Sequence, residues 1–599
     1  MDENTSREVA VRRVWPRREV LKAISAAGVG SAAFVRALAS VSEGSPAVTG
    51  EMIRHAEWVA GVEFTDAERE LMLEDLSESR AQLAELRSFP IGNEVPPALF
   101  FEPTPGRTEV EGSDKGKDLT PNAVPGDSGA IRTDSVEDLA FATVSELSVL
   151  LRGGRVSSVE LTRLYLGRLE RYDPVLHCVI TMTGDLALEQ ADLADREISA
   201  GRYRGPLHGI PWGAKDLLAV AGYRTTWGAK PFEDQIRNET ATVAARLREA
   251  GATLLAKLSV GALAWGDVWF DAMTRNPWNP EQGSSGSSAG SAASTAAGLV
   301  GFAIGTETWG SIVSPCTRCG ATGLRPTFGR VSRHGVMALS WSMDKIGPIA
   351  RSVEDCALVF DAIHGADGLD PTAVDRPFAW PPRRDPRALR VGYVKSLFEE
   401  DRAAQVEDES EKAALREWQA HDLATLETLR GIGIEPVPVE LPDGFPIDAL
   451  ALILTAEAAT AFDELTRSGR DDLLVRQVRD AWPNVFRQGQ LITAVDYIRA
   501  NRVRTLVMQA MQRMMADVDV YVAPSYGGDN LLLTNLTGHP AVVVPNGFRS
   551  ADDTPTSITF MAGLHREEDA LSVAHAYQRA TGFHLRRPTL PPAAAGAEE

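Results

Sequence analysis

Three segments concentrate the residue types that could do nucleophilic chemistry. The first is Gly205-Pro-Leu-His-Gly-Ile-Pro-Trp-Gly-Ala-Lys-Asp216, which carries His208, Lys215 and Asp216. The second is Gly283-Ser-Ser-Gly-Ser-Ser-Ala-Gly-Ser-Ala-Ala-Ser294, and the third is Gly305-Thr-Glu-Thr-Trp-Gly-Ser-Ile-Val-Ser-Pro315. A serine hydroxyl is a weak nucleophile until a base takes its proton. A Gly/Ser-rich run is by default a flexible loop. This one opens into a good helix-forming stretch at residues 292–299 and then a strand-like run at 300–304. Small residues there let the backbone approach another group closely. The G-x-x-x-x-G-K-[ST] phosphate loop is absent, and so is the G-x-S-x-G nucleophile elbow.

Taken together, the segments resemble the amidase signature family of serine hydrolases. The matching residues are Gly209-Ile210-Pro211 with Lys215, then Ser285-Gly286-Ser287-Ser288-Ala289-Gly290-Ser291, then Trp309-Gly310-Ser311-Ile312-Val313-Ser314-Pro315. The family spaces its two catalytic serines as Ser287 and Ser311 are spaced, 24 positions apart, which selects Ser287 over Ser284, Ser285 and Ser288. Gly320-Ala-Thr-Gly-Leu-Arg-Pro-Thr-Phe-Gly-Arg330, Ser342-Met-Asp-Lys-Ile-Gly-Pro-Ile-Ala-Arg-Ser-Val-Glu-Asp355 and Asn535-Leu-Thr-Gly-His-Pro-Ala541 extend the likeness, which covers residues 135–588.

The resemblance implies Ser311 as nucleophile, Ser287 as bridge and neutral Lys215 as base, with an acyl-enzyme intermediate and neither cofactor nor metal. It implies a cis peptide at Gly286–Ser287. It also implies an oxyanion hole of backbone N–H groups at Thr308, Trp309, Gly310 and Ser311. A lysine amine titrates near ~10.4, and bringing it to ~7 takes roughly 4 kcal/mol, which burial can supply. Pro211, Trp212 and Ala214 give Lys215 an apolar setting. Trp309 stands where the family prefers glycine, and a positive φ there would strain it. Glu307 replaces an aspartate, and Ser285 and Ala289 replace glycines.

Other polar residues in these segments take structural readings. Asp216 reads as a backbone brace, since a counter-charge on Lys215 would raise its pKa. His208 and His539 read as hydrogen-bonding groups, because the family's catalysis uses no histidine. Arg325, Arg330 and Asp344 read as buried bracing. Trp265, Trp269, Phe270 and Trp341 are matched equally to an acyl pocket and to core packing.

Several elements must position these residues. Residues 139–151 and 158–172 read as amphipathic helices separated by Gly153-Gly154. Apolar runs of strand length at 252–256, 390–394, 518–522 and 541–544 alternate with helical runs such as 241–249. The expected fold is α/β: one large α/β/α domain around a central mixed, mostly parallel sheet, with a helical N-terminal extension. The domain spans residues 135–590. The extension covers 40–102 and includes a helix over 64–89 with Thr65 as cap, Glu68 three residues on and Pro90 as stop. Residues 103–134, rich in Pro, Gly, Asp and Lys, read as a linker or wrapping arm, and 591–599 as a disordered tail.

The first 39 residues read as a twin-arginine-type signal. Arg17-Arg18-Glu19-Val20-Leu21-Lys22 precedes a short apolar stretch at 23–35 and an Ala37-Leu38-Ala39 cleavage site. Thirteen residues are too few for a mature membrane span, so no stable insertion is expected after signal removal. The segment carries seven Lys/Arg and four Asp/Glu. The chain from Ser40 therefore has a net charge of -24, against -21 for all 599 residues.

Such acidity repels phosphate backbones and argues against nucleic acid as a partner. With 44% hydrophobic and 24% charged residues, the chain is neither disordered nor fibrous. Four cysteines make no disulfide framework. The Cys316-x-x-Cys319 pair lacks the second pair or histidines of a zinc site and reads as packing.

The expected function is an exported, periplasmic or secreted amidase that cleaves a small-molecule amide to acid plus ammonia or amine, with a homodimer as a candidate assembly. The alternatives are the glutaminase component of a tRNA-dependent amidotransferase and a non-catalytic binding protein on the same scaffold. Export and acidity speak against the former. Retention of Lys215, Ser287 and Ser311 speaks against the latter. Residues 397–503 match the family weakly, and specificity is expected to reside there.

Overall fold

The computed structural model describes residues 48–91, 95, 97–99, 136–404 and 406–590. The expected signal (1–39), arm (103–134) and tail (591–599) lie outside the described residues. The chain divides into two compact units between Ala81 and Gln82.

The first unit contains helix α1 (Gly50–Ala60) and the start of α2 (Asp66–Ser88). Thr49 caps α1, and Gly61 closes it in the left-handed conformation at φ 68°. Thr65 and Glu68 exchange hydrogen bonds at the head of α2, the capping box expected from sequence. Arg69 joins Glu57 at 2.6 Å and Asp66 at 2.7 Å.

In the second unit, the last turns of α2 run beside helix α10 (Ala494–Met514). Arg87 pairs with Asp496 at 2.7 Å, and Arg499 Nε donates to the Leu86 carbonyl at 2.9 Å. The unit is organised by thirteen strands among the described residues. These are β1 (Val179–Met182), β2 (Pro211–Lys215), β3 (Thr253–Leu258), β4 (Arg275–Asn276), β5 (Asn279–Gly283), β6 (Phe302–Glu307), β7 (Thr322–Arg325), β8 (Lys345–Ala350), β9 (Val391–Val394), β10 (Val437–Val439), β11 (Val520–Pro524), β12 (Ala541–Phe548) and β13 (Pro555–Ala562). All but β4 and β5 form one sheet in the order β1-β3-β2-β6-β8-β7-β12-β13-β11-β9-β10.

Strands β2, β3, β6, β8, β11 and β13 are buried along their whole length, on both faces, so they lack the alternation of a half-exposed strand. Helices α3 (Val144–Arg152), α4 (Ser158–Leu176), α5 (Thr242–Glu249), α6 (Ala289–Ala296), α7 (Val313–Cys319), α8 (Val353–Ile363), α9 (Leu452–Ala461), α10, α11 (Asn530–Thr537) and α12 (Glu567–Thr581) surround it. Thr143 and Ser157 cap α3 and α4 through capping boxes with Glu146 and Glu160.

The α/β architecture and mixed sheet are as expected, but the parallel share is not. Four of the ten pairings are parallel (β2–β3, β2–β6, β9–β11, β9–β10) and six are antiparallel. The middle of the sheet is antiparallel because β12 and β13 are joined by a short turn and β7 returns directly to β8 without a crossover helix. Parallel pairing is confined to β2, β3 and β6 at one side and β9, β10 and β11 at the other.

Candidate active site

The site forms where parallel strands end. Lys215 is the last residue of β2, and Thr306 and Glu307 close the neighbouring parallel strand β6. Both therefore reach the same edge of the sheet, the usual place for a ligand in such folds.

The Gly/Ser run is packed into the domain and is not a free loop. It leads into α6, whose residues 289–296 are all buried. A Cβ on Gly290 would lie 2.4 Å from the Cys178 carbonyl oxygen and 2.6 Å from the Ser259 nitrogen, so only glycine permits that approach. The Gly286–Ser287 peptide is cis, at the position the resemblance indicated. Ser285 takes a left-handed φ of 60°, with its N–H donating to Asp267 at 2.9 Å.

The Lys215 amine is wholly buried. Its Nζ lies within hydrogen-bond distance of Ser287 Oγ at 2.8 Å, Ser288 Oγ at 3.0 Å, Thr306 Oγ1 at 2.8 Å and the Thr306 carbonyl at 3.3 Å. Burial pushes its pKa well below the ordinary lysine value. The charges of Asp344 and Glu307 pull it back only in part. Ser311 is tied to the same cluster, since the Ser288 N–H donates to the Ser311 carbonyl at 3.1 Å.

The turn carrying Ser311 is anchored from below. Glu307 Oε2 accepts from the Ile312 and Val313 N–H groups at 2.8 and 2.9 Å. Its Oε1 accepts from Arg325 at 2.7 Å and Asn535 at 2.8 Å. Burial alone would raise the pKa of this carboxyl, but the Arg325 charge and these hydrogen bonds hold it at about 2. Above it, Thr308 Oγ1 donates to Asp344 at 2.6 Å.

The positive φ that would have strained Trp309 does not occur there. The left-handed residue is Gly310, at φ 85°, and Trp309 is not among the residues of positive φ. A Cβ on Gly310 would also meet Leu531 and Ser314 at 3.0 Å, so glycine is required there and not one position earlier. The Trp309 side chain is 44% exposed. The N–H groups of Trp309, Gly310 and Ser311 take no protein acceptor among the described residues, which leaves them open to a ligand oxygen.

The structural readings of the neighbouring polar residues hold. Asp216 pairs with Lys257 at 2.6 Å and accepts from the Thr226 N–H at 2.7 Å, so its charge is spent away from Lys215. His208 accepts from the Arg204 N–H and faces Glu197, and burial lowers its pKa. His539 shares a hydrogen bond with Thr537 at 2.8 Å, and burial drops it to about 4. Arg325 and Arg330 meet Glu307 and Glu567. Cys316 and Cys319 are free, buried thiols in α7 whose pKa values burial raises.

One cavity adjoins the site, and a second adjoins that cavity. The first, of about 360 Å³, is lined by Thr306, Thr308, Met337, Trp341, Asp344 and Lys345 among others. The second, of about 400 Å³, shares Val336, Met337, Ala338 and Trp341 with it and adds Trp227, Phe232 and Phe462. Of the four aromatic residues singled out in the sequence, Trp341 lines both. Trp265 lies under Arg476, and Trp269 packs edge-on against Phe270. Sequence reasoning did not find Thr306 or Ser288 as partners of the amine, nor Lys257 as partner of Asp216. Thr306 lies inside the third motif and could have been suspected. Lys257 carried no local signal.

Fold and site together define a hydrolase of amide C–N bonds. Residues 160–571 match the Amidase family. The A component of the Glutamyl-tRNA(Gln) amidotransferase of Roseiflexus sp. (strain RS-1) is 35% identical over 493 residues, 75% of this chain and 98% of that protein. Its counterpart of the same name from Geobacter metallireducens is 34% identical over 495 residues, covering 75% and 99% of the two chains. The solved peptide amidase of Stenotrophomonas maltophilia superposes with a TM-score of 0.66 at 29% identity, over 76% of this chain and 99% of that one. The chain belongs to the amidase signature family.

Proposed function

We propose that the protein hydrolyses a linear carboxylic amide to the acid plus ammonia or an amine. Ser311 Oγ attacks the carbonyl while its proton passes through Ser287 to the neutral Lys215 amine. The backbone N–H groups of Thr308, Trp309 and Gly310 receive the oxyanion. The C–N bond then breaks, the leaving nitrogen takes the proton from Lys215, and water hydrolyses the acyl ester. The observation that carries this reading is the buried Lys215 amine 2.8 Å from Ser287 Oγ, with its pKa depressed by burial. The apolar side chains Leu217, Met337, Leu339 and Trp341 in the cavity that reaches Thr306 and Thr308 favour an apolar acyl group.

A second reading, the glutaminase component of a tRNA-dependent amidotransferase, is favoured by the names of the relatives just described. A panel of amides of graded acyl size, with free L-glutamine included, separates the two. Turnover of apolar amides above glutamine is expected. Glutamine as the sole substrate would overturn the first reading. Ser311→Ala is expected to abolish both turnover and fluorophosphonate labelling, and labelling that persists would remove Ser311 from its role.

Export by the twin-arginine route, to the periplasm or medium, is part of the proposal and rests on Arg17-Arg18 and the segment that follows. Replacing both arginines by lysine is expected to leave the full-length protein in the cytoplasmic fraction. Unchanged distribution would refute export by this route.

Among the described residues, no helix is long and apolar enough to cross a membrane.

A further inference from the structure

Glu457 is the one acidic side chain in the apolar helix α9, within the stretch that matches the family weakly. It is 4% exposed. Its two oxygens accept four hydrogen bonds: from Ser340 Oγ at 2.6 Å, the Ser342 N–H at 3.0 Å, Ser342 Oγ at 2.7 Å and Tyr497 Oη at 2.8 Å. Arg504, on α10, grips the same turn from its other side. It donates to Ser342 Oγ and to the Ser342 carbonyl, both at 2.8 Å, and to the Leu536 carbonyl at 2.6 Å.

What this turn holds is the floor of the active site. Asp344 Oδ2 accepts from the Leu339 and Ser340 N–H groups at 2.8 and 3.0 Å, and its Oδ1 accepts from Thr308 Oγ1. Thr308 begins the backbone that runs through Trp309 and Gly310 to Ser311. An unbroken series of hydrogen bonds thus leads from Glu457 through Ser340 and Asp344 to Thr308. Buried carboxylates keep full hydrogen bonding because each lost partner is costly. None of the four donors to Glu457 is a charged group, so the carboxylate is matched to the shape of this turn.

We propose that Glu457 is a positioning residue for the acylation step: it fixes the turn at residues 340–344 so that Asp344 holds Thr308, and with it the oxyanion amides, in register with Ser311. The inference rests on the reading of Ser311 as nucleophile. It makes α9 a support of the catalytic geometry as well as a wall of the second cavity, to which Ala461 contributes.

The test measures kcat, KM, fluorophosphonate labelling rate and thermal unfolding for wild type, Glu457→Ala, Glu457→Gln and Tyr497→Phe, with an amide that wild type turns over. Displacement of a reacting group by about 1 Å costs on the order of 100-fold in rate. Glu457→Ala is accordingly expected to lose between about tenfold and 100-fold in kcat and in labelling rate, with KM changed less than threefold. Glu457→Gln keeps one acceptor oxygen and is expected to recover part of that loss. Tyr497→Phe leaves the carboxylate three donors and is expected to lose least. Should Glu457→Ala not fold, the ordering of the Gln and Phe variants decides alone. Folded variants with wild-type kcat and labelling, or a loss confined to KM, would overturn the proposal. Wild type that is not labelled at Ser311 would instead remove the reading beneath it.

Discussion

Replacing Lys215 by methionine is expected to lower kcat/KM by about 10⁴-fold or more, because the buried amine bonded to Ser287 is then gone. The same substitution should leave a mark on stability that activity does not report. Burial holds the folded-state pKa of Lys215 well below its ordinary value. Between that depressed value and the unfolded value near ~10.4, the unfolded chain binds a proton that the folded chain does not. Folding stability of wild type therefore rises with pH across this window, and below it the full penalty is present. Lys215→Met has no such proton to lose. Lys345, a second buried lysine with a lowered pKa, is present in both proteins and cancels in the comparison. Urea unfolding from pH 7 to pH 10 should show wild type gaining on the variant as pH rises. Parallel curves would mean that Lys215 is not held neutral by the fold. Activity has the same sign: it should climb as pH passes the depressed pKa and the amine becomes free to take a proton. Activity that does not rise with pH would remove Lys215 as the base.

The site was legible in the sequence to the extent that its parts lie close together along the chain. Lys215, the serine run and the Ser311 turn are three short segments, and the spacing between Ser287 and Ser311 selected one hydroxyl among several. Glycine placement was only half legible. The sequence shows Trp309-Gly310 but not which of the two carries the left-handed turn, and the backbone assigns it to Gly310.

The strands at 252–256, 390–394, 518–522 and 541–544 emerge as β3, β9, β11 and β12 within a residue or two at most positions. Their direction was not readable, because a strand buried on both faces has the same apolar run whether its neighbours are parallel or antiparallel. Contacts between distant segments were also beyond reach. Lys257 and Asp216 meet because β2 and β3 are neighbours, and nothing local in either segment marks the pair. Glu457 is an intermediate case. A lone carboxylate in Leu452–Ala461 is a visible anomaly, but its partners at 340, 342 and 497 come from elsewhere in the fold.

Loss of Glu307 should cost the fold heavily. Its carboxylate meets the Arg325 guanidinium at 2.7 Å with neither side chain exposed to solvent. Removing one member of such a pair leaves an uncompensated buried charge, which costs about 3–5 kcal/mol. Glu307→Gln is expected to lose that much in chemical unfolding and to lower kcat as well, since the Ile312 and Val313 N–H groups that Glu307 holds directly follow Ser311. The pH dependence isolates the charge from the shape. The folded-state pKa of about 2 lies below the ordinary value of 4.5, so the contribution is fully present above 4.5 and fades as pH falls toward 2. The stability gap between wild type and Glu307→Gln should therefore be constant from pH 5 to pH 7 and close below ~4.5. A gap that persists unchanged at pH 3 would mean the carboxylate acts by filling space. Glu307→Asp separates reach from charge: the shorter side chain keeps the ion but withdraws it from four donors that converge on the glutamate oxygens. If the Ser311 turn depends on that convergence, Glu307→Asp should retain more stability than Glu307→Gln while losing kcat nearly as far.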